Sequence, residues 1–317
     1  MNSTDDIERI LEVRPLGNNR FISTTLSVPL PGAQGTFGGE LVAQALLAAL
    51  HTVPCDLVPC SIHAYFVTAG SADVHLEYQV EEIRRGRSFV HQEVRCYQGP
   101  RLVYWAAILW SLDNPVGENA LQHYKKLVSH ELVPLEMLEP GVDVYRSQVG
   151  GTEYFSKQYL DGLQHGPMDY RFSSDMFIPD GSKNRIGYYV RVKAPITTDR
   201  QNKNGQPVNP RSDLRYNYVA LAYLSDLYFL FTSRTFLGKP LFEKQSRTVS
   251  LDHSIHFHGL PAVNDWLYFE IRHPRSAYQR NLVQGEYYNP STREILASTT
   301  QEGATFSLYT RDHKSKL

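Results

Sequence analysis

The segment "LDHSIHFH", residues 251–258, holds three histidines, a serine and an aspartate, which are side chains that bind metals or transfer protons. A zinc site needs three or four ligands that converge on one point. Side chains alternate between the two faces of a strand. A regular strand would place Ser250, Asp252, Ser254, His256 and His258 on one face, and His253, Ile255 and Phe257 on the other. The pattern therefore favours a structural strand over a metal site, with proton transfer by one histidine as an alternative.

A lone aspartate is the second chemical candidate. Asp226 is the only charge in "YVALAYLSDLYFLF", near the end of a predicted helix. The negative end of the helix dipole and the apolar neighbours both disfavour its ionised form and raise its pKa. An isolated carboxylate of this kind is a candidate general base. The alternative is an aspartate that only ends the helix at a turn.

Two apolar segments predict the helices that must position these residues. "GGELVAQALLAAL" begins at Gly38, and its apolar residues recur at helical spacing. "SDLRYNYVALAYLSDL" has a similar face, with Ser212 or Asp213 as its predicted N-cap. Neither segment has a wide polar face near its centre, so we expect both helices to be wrapped by a sheet.

The chain also contains an internal repeat. "EIRRGRSF" begins at Glu82 and "EIRHPRSA" at Glu270, and five of the eight positions match. Each octet lies in the same order of strand, octet, strand, turn and strand. One helix with antiparallel strands, repeated twice, predicts an α+β fold of the double-hotdog type, in which each central helix is wrapped by a curved antiparallel sheet.

The repeat also predicts how the chain is divided. We expect an N-terminal repeat at 1–115, a polar and irregular surface linker at 116–165, and a C-terminal repeat at 166–317. The stretch 197–213 is polar and rich in turn residues.

Composition excludes several classes of protein. The 317 residues carry a net charge of −1, which argues against a nucleic-acid binder. The three cysteines, Cys55, Cys60 and Cys96, match neither a disulfide framework nor a zinc pattern. The sequence contains no run of 18 apolar residues, so we expect no transmembrane helix. Its acidic N-terminal stretch is unlike a secretory signal. The GxSxG motif of the α/β-hydrolases does not occur in the sequence, which disfavours that class of thioesterase.

Four stretches together resemble one family. They are "FGGELVAQAL" from residue 37, "LSDLYFL" from 224, "SLDHSIHFH" from 250 and "ASTTQEG" from 297. In this order and at these spacings, they are similar to the type II, TesB-like acyl-CoA thioesterases, which are double-hotdog enzymes. The resemblance extends from about residue 15 to 308. With the terminal "SKL" the chain most resembles the peroxisomal members.

The resemblance implies a site and a reaction. The site residues fall on Asp226, Ser250 and Gln301, which would activate a water that splits fatty acyl-CoA into fatty acid and coenzyme A. Many bacterial members have threonine at the position of Ser250, so the hydroxyl is kept. No metal or redox cofactor is implied. Hotdog enzymes commonly hold the thioester carbonyl at a helix N-terminus, here Gly38 and Gly39, although close helix–sheet packing also requires glycine.

Two other functions remain open from the sequence. One is a hotdog enoyl-CoA hydratase, whose Asp–His signature is not found, and the other is a non-catalytic acyl-CoA-binding protein. The first-half counterpart of the "ASTTQEG" strand, "YWAAILWS" at 104–111, has no amide or acid, so we expect one site per chain. Basic turns at Arg84–Arg87 and Arg272–Arg275 are candidates for coenzyme A phosphates or are simply solvated.

The C-terminal tripeptide predicts a location. Ser315, Lys316 and Leu317 form the address read by the peroxisomal import receptor, so we expect the protein in the peroxisomal matrix. The expected partners are therefore an acyl-CoA substrate, this receptor and further copies of the chain in a homo-oligomer, with no nucleic acid.

Overall fold

A computed structural model describes residues 6–30, 35–113, 123–127, 132–149, 154–196, 213–240 and 246–307. Its helices are α1 (Ile7–Leu11), α2 (Gly38–Leu50), α3 (Gly141–Val149), α4 (Tyr154–His165), α5 (Tyr216–Leu224) and α6 (Thr232–Phe236), with a short 3₁₀ helix at Leu135–Met137. Its strands are β1 (Val13–Gly17), β2 (Arg20–Ser23), β3 (Leu57–Phe66), β4 (Glu77–Arg85), β5 (Phe89–Gln98), β6 (Arg101–Leu112), β7 (Glu139–Pro140), β8 (Met168–Phe172), β9 (Ile186–Val192), β10 (Ser246–Ser250), β11 (Asp252–Phe257), β12 (Leu267–Ala277), β13 (Arg280–Tyr288) and β14 (Ile295–Ser307).

The strands form one sheet with antiparallel pairing. Their order is β1-β2-β4-β5-β6-β3-β11-β14-β13-β12-β9-β8-β7, and β10 pairs with β14 beside this path. The two halves of the sheet meet where β3 pairs with β11, with Ile62 opposite Ile255. Both of these side chains are fully buried, so the junction is part of the hydrophobic core.

The two long apolar helices lie inside this sheet. Every residue of α2 from Gly39 to Leu50 is buried, and α5 is buried along almost its whole length. The two helices pack against each other, and strands β1 to β6 pack around α2. Because a helix without a polar face can only be stable when it is covered on all sides, this burial is what their composition requires. The predicted double hotdog is confirmed.

The start of α5 differs from the prediction. The helix begins at Tyr216, and Asp213 lies in the turn before it rather than at the N-cap. Arg215 donates to both carboxylate oxygens of Asp213 and to the carbonyls of Pro54 and Leu57. Asp213 and Arg215 are both almost fully buried, so the Arg215 guanidinium neutralises the buried Asp213 carboxylate. The alternative N-cap, Ser212, lies outside the described residues.

The segment 116–165 is not irregular where the structure describes it. It contains α3, α4 and β7, which extends the sheet by pairing with β8. Val144 and Tyr145 of α3, and Tyr159 and Leu163 of α4, face the core. The apolar residues of α4 are four apart, which is a helical spacing within an otherwise polar segment. The prediction of an irregular linker is therefore wrong, while the division at residues 115 and 165 stays a prediction.

Among the described residues, no helix is long and apolar enough to cross a membrane. The tripeptide Ser315–Leu317 and the turn-rich stretch 197–212 lie outside the described residues.

Candidate active site

Asp226 lies directly beyond the C-terminus of α5, after the C-cap residue Ser225. Asp226 as a whole residue is half-buried, and the protein atoms around its carboxylate raise its pKa by desolvation. Hydrogen bonds from the Gln301 side chain and the Gly39 backbone N–H oppose this rise. The result is a desolvated carboxylate with two hydrogen-bond donors, which is an environment that suits a general base.

Gln301 connects the polar groups of the site. It lies on the inner face of β14 and is fully buried. Its Nε2 donates to Asp226 Oδ1 over 2.5 Å and to Ser250 Oγ over 3.1 Å. Its Oε1 is buried and has no hydrogen-bond partner among the described residues. Because both amide protons are engaged, the remaining oxygen can accept a proton donor that enters the site.

A β-bulge turns Ser250 towards Gln301. Ser250 pairs with Gly303 and Ser254 pairs with Thr300, so one more residue lies on the Ser250 side than on the β14 side. An extra residue in one strand reverses the face on which later side chains lie. Ser250 therefore faces inward, and the prediction that it shares a face with Ser254 and His256 is wrong. At the bulge, the Asp252 carboxylate accepts the Glu302 backbone N–H over 2.8 Å.

The histidines of "LDHSIHFH" face opposite ways, as the alternation within β11 predicts. His253 is fully buried, and its Nε2 lies 2.8 Å from Ser225 Oγ. Desolvation lowers the pKa of His253 to about 3, so the ring is neutral. His256 and His258 lie on the exposed outer face. Within the described ranges, no group of three or more His, Cys, Asp or Glu side chains could hold a metal ion.

Gly38 and Gly39 bring the N-terminus of α2 against the Asp226 carboxylate. A Cβ at Gly38 would lie 2.7 Å from Asp226 Oδ2, and one at Gly39 would lie 2.6 Å from the Tyr223 carbonyl oxygen. Only glycine, which has no Cβ, allows the α2 backbone to approach both of these oxygen atoms so closely. The positive end of the α2 dipole then points at the anion and favours its charged form.

Sequence reasoning missed four ionisable side chains near the site. Asp226 contributes to the raised pKa values of Tyr104, Tyr223 and Tyr287, which come from three separate elements. Glu40, beside Gly39, is buried and accepts a 3.0 Å hydrogen bond from the Ser27 hydroxyl, and burial raises its pKa to about 7. Glu40 had a signal in the sequence, because it is the only charge in "FGGELVAQALLAAL". Tyr223 also had a signal, because it lies three residues before Asp226 at helical spacing. Tyr104 and Tyr287 had none, because their proximity to Asp226 depends on the folded sheet.

The fold and the site together define a class, that of double-hotdog proteins with a carboxylate–amide–hydroxyl cluster. Family models match both halves: "Acyl-CoA thioesterase N-terminal domain" at residues 26–111 and "Acyl-CoA thioesterase" at 201–304. The chain is 35% identical to "Peroxisomal acyl-coenzyme A thioester hydrolase 1" of Saccharomyces cerevisiae, over 98% of this chain and 97% of that protein. The chain belongs to the acyl-CoA thioesterase family.

Two further comparisons agree with this assignment. "Acyl-CoA thioesterase 2" of Haemophilus influenzae is 27% identical over 86% of this chain and 88% of its own. The crystal structure of the acyl-CoA thioesterase II TesB2 from Mycobacterium marinum superposes with a TM-score of 0.70 at 24% identity, covering 95% of this chain and 98% of that chain, and it supports the fold. The protein is thus an acyl-CoA thioester hydrolase, and neither the hydratase nor the non-catalytic binder is favoured.

Proposed function

We propose that the protein hydrolyses fatty acyl-CoA with a water molecule that Asp226 activates and that Gln301 and Ser250 position. One observation carries this proposal. Gln301 Nε2 donates hydrogen bonds to Asp226 and Ser250, while Gln301 Oε1 is buried without a partner among the described residues. A buried, unpaired acceptor is costly unless something donates to it. A water held between Gln301 Oε1 and the Asp226 carboxylate would satisfy both.

In the proposed reaction, Asp226 removes a proton from this water as its oxygen attacks the thioester carbonyl. The tetrahedral intermediate then collapses, the carbon–sulfur bond breaks, and the proton passes from Asp226 to the sulfur of coenzyme A. The products are a fatty acid and the free thiol. The raised pKa of Asp226 suits both steps, because a carboxylate with a higher pKa is a stronger base and its protonated form can still donate the proton.

Water is favoured over direct attack by Ser250. A serine nucleophile needs an adjacent base to take its proton. The nearest histidine in sequence, His253, lies beyond the bulge, and its Nε2 hydrogen-bonds to Ser225 rather than to Ser250. Ser250 Oγ instead accepts from Gln301, so its own proton can be given to the water or to the substrate.

The N-terminal N–H groups of α2, at Gly38 and Gly39, are proposed to hold the thioester oxygen as its charge develops. They are supported by their position against Asp226 and by the positive end of the helix dipole. The Gly39 N–H donates to Asp226, so in this proposal it would be shared between that carboxylate and the substrate.

We also propose that the enzyme works in the peroxisomal matrix and assembles as a homo-oligomer. The location is supported by the yeast relative, whose name places it in peroxisomes, and by the terminal Ser315-Lys316-Leu317 in the sequence. The partner that would recognise this tripeptide is the peroxisomal import receptor.

Thiol release and intact-protein mass together test the reaction. Purified protein is mixed with palmitoyl-CoA, free thiol is followed with a chromogenic thiol reagent, and the protein is quenched during turnover for mass spectrometry. We expect thiol release with no acyl adduct on the chain. A palmitoyl adduct that disappears in Ser250→Ala would contradict the water mechanism, and absence of thiol release would contradict the proposed substrate.

A further inference from the structure

The turn that carries Asp226, residues 225–228, is held by side chains from three separate strands. We call it the Asp226 turn. Tyr287 of β13 donates its hydroxyl to the Leu224 carbonyl over 3.2 Å, and Tyr188 of β9 donates to the Leu227 carbonyl over 3.1 Å. Carbonyls at a helix C-terminus have no partner within the helix. Two buried tyrosine hydroxyls therefore donate to these two carbonyls, and the Leu224 carbonyl also accepts the Leu227 backbone N–H over 3.3 Å.

The third side chain is His253 of β11, and its protonation can be assigned from its neighbours. Ser225 Oγ donates to the Ala222 carbonyl over 2.8 Å, and Thr299 Oγ1 donates to the Ser254 carbonyl over 2.8 Å. Each hydroxyl already donates its proton to a carbonyl, so each can only accept from His253 Nε2. This nitrogen lies 2.8 Å from Ser225 Oγ and 3.5 Å from Thr299 Oγ1. The neutral ring must carry its proton on Nε2 and thereby holds Ser225, the residue directly before Asp226.

The backbone of the Asp226 turn shows why it needs this support. Tyr228 has φ of 59°, a left-handed conformation that is uncommon for a bulky residue. Its ring is buried against Tyr170, Phe172 and Phe177. Strained conformations of this kind persist only where the surroundings determine them. The three strands and the aromatic cluster provide that determination.

We propose that Tyr188, Tyr287 and His253 are positioning residues that hold the Asp226 carboxylate at its working place and orientation. This inference rests on the proposed role of Asp226. The carboxylate follows a helix C-terminus, where the partial negative charge of the last carbonyls would repel it. Donors on the Leu224 and Leu227 carbonyls reduce that repulsion and hold the chain on both sides of Asp226.

The electrostatic part of this proposal involves the ionisable groups near Asp226 among the described residues. Tyr104 approaches from β6, Tyr223 from α5 and Tyr287 from β13, and Glu40 lies beside Gly39 at the start of α2. The pKa values of the three tyrosines are all raised, so these residues remain neutral while Asp226 titrates. We expect loss of the Tyr287 hydroxyl to remove one of the two donors to the Leu224 carbonyl and so to raise the pKa of the Asp226 carboxyl further.

Tyr188→Phe and Tyr287→Phe each remove one hydroxyl and keep the ring. Tyr170→Phe is the matched control, because Tyr170 lies in the same cluster and its buried hydroxyl has no partner among the described residues. We expect kcat to fall roughly ten-fold in the first two variants, with KM within about two-fold, since a displaced base affects reaction more than binding. In Tyr287→Phe the acid limb of the kcat profile should move up by roughly half a pH unit.

A histidine pair gives an independent check. In His253→Gln the side-chain amide nitrogen reaches roughly the place of Nε2 and can still donate to Ser225, whereas in His253→Asn it is too short. We expect His253→Gln to keep most of kcat and His253→Asn to lose roughly ten-fold at equal thermal midpoints. A merely structural role would lower both thermal midpoints without separating the two kcat values.

Asp226→Asn is measured beside these variants so that the two proposals can fail separately. If Asp226→Asn keeps normal turnover, the proposed base is wrong. If Asp226→Asn is inactive but Tyr188→Phe and Tyr287→Phe match Tyr170→Phe in kcat and acid limb, only the positioning inference is overturned. Equal kcat in His253→Gln and His253→Asn would overturn the role of His253.

Discussion

Glu40→Gln should stabilise the protein at neutral and alkaline pH but not in acid. Glu40 is buried in the first turn of α2, and the Ser27 hydroxyl is its hydrogen-bond donor. Burial raises the pKa of Glu40 from 4.5 to about 7. Below pH 4.5 the folded and unfolded chains both hold this proton. Between 4.5 and about 7 only the folded chain holds it, so its stability falls as pH rises.

The size of this effect follows from the two pKa values. Each pH unit between them corresponds to about 1.4 kcal/mol, so ionised Glu40 costs about 3 kcal/mol once the pH exceeds 7. Glutamine has a similar shape and no charge, so it avoids this cost. Urea unfolding at pH 4.5 and pH 8 measures it: the free energy of unfolding of Glu40→Gln should match the wild type at pH 4.5 and exceed it by about 3 kcal/mol at pH 8.

Ser27→Ala is the matched variant for this measurement. The Ser27 hydrogen bond lowers the pKa of Glu40, so its removal should raise that pKa further and make the loss of stability with pH larger. A difference between Glu40→Gln and wild type that does not change from pH 4.5 to pH 8 would refute the assignment of a buried carboxyl whose pKa is raised in the folded state.

Three further predictions concern the site and the tail. Ser250→Ala and Gln301→Ala should each lower kcat/KM severely, and the double variant should lose far less than the product of the two, because the groups act as a unit; additive losses in the double-mutant cycle would contradict this. Exhaustive chelation should leave thiol release unchanged, because His253 faces away from His256 and His258; activity lost to the chelator and restored by zinc would contradict it. Deletion of residues 315–317 should leave activity and thermal midpoint unchanged and move an N-terminally tagged chain from peroxisomes to cytosol in fluorescence images, whereas continued import would contradict the assigned address.

Local patterns in the sequence predicted the helices at the centre of the fold well. The glycines and apolar spacing of residues 38–50 predict α2 with the bounds that the structure shows. The lone charge in an apolar helix end predicted an unusual environment for Asp226, and its pKa is raised by burial. Periodicity was weaker for α3 and α4, where few apolar residues lie among polar ones.

The remaining features depend on pairings between distant segments. The bulge that turns Ser250 inward exists because β10 and β11 pair with one continuous strand, β14, and a single segment cannot reveal its partner's register. In the same way, Asp213 is explained by Arg215 and by the carbonyls of Pro54 and Leu57, more than 150 residues away in sequence. The hydroxyls of Tyr104 and Tyr287 near Asp226 are equally non-local.

Turnover of Asp226→Asn, compared with Asp252→Asn, is the most direct test of the proposed chemistry. Asparagine keeps the shape of both side chains. At Asp226 it removes the base, and at Asp252 it retains an oxygen that can accept the Glu302 backbone N–H. With palmitoyl-CoA, kcat should fall by at least ~10²-fold in Asp226→Asn and stay close to wild type in Asp252→Asn, at similar thermal midpoints. Near-normal turnover in a well-folded Asp226→Asn variant would contradict general-base catalysis by this residue.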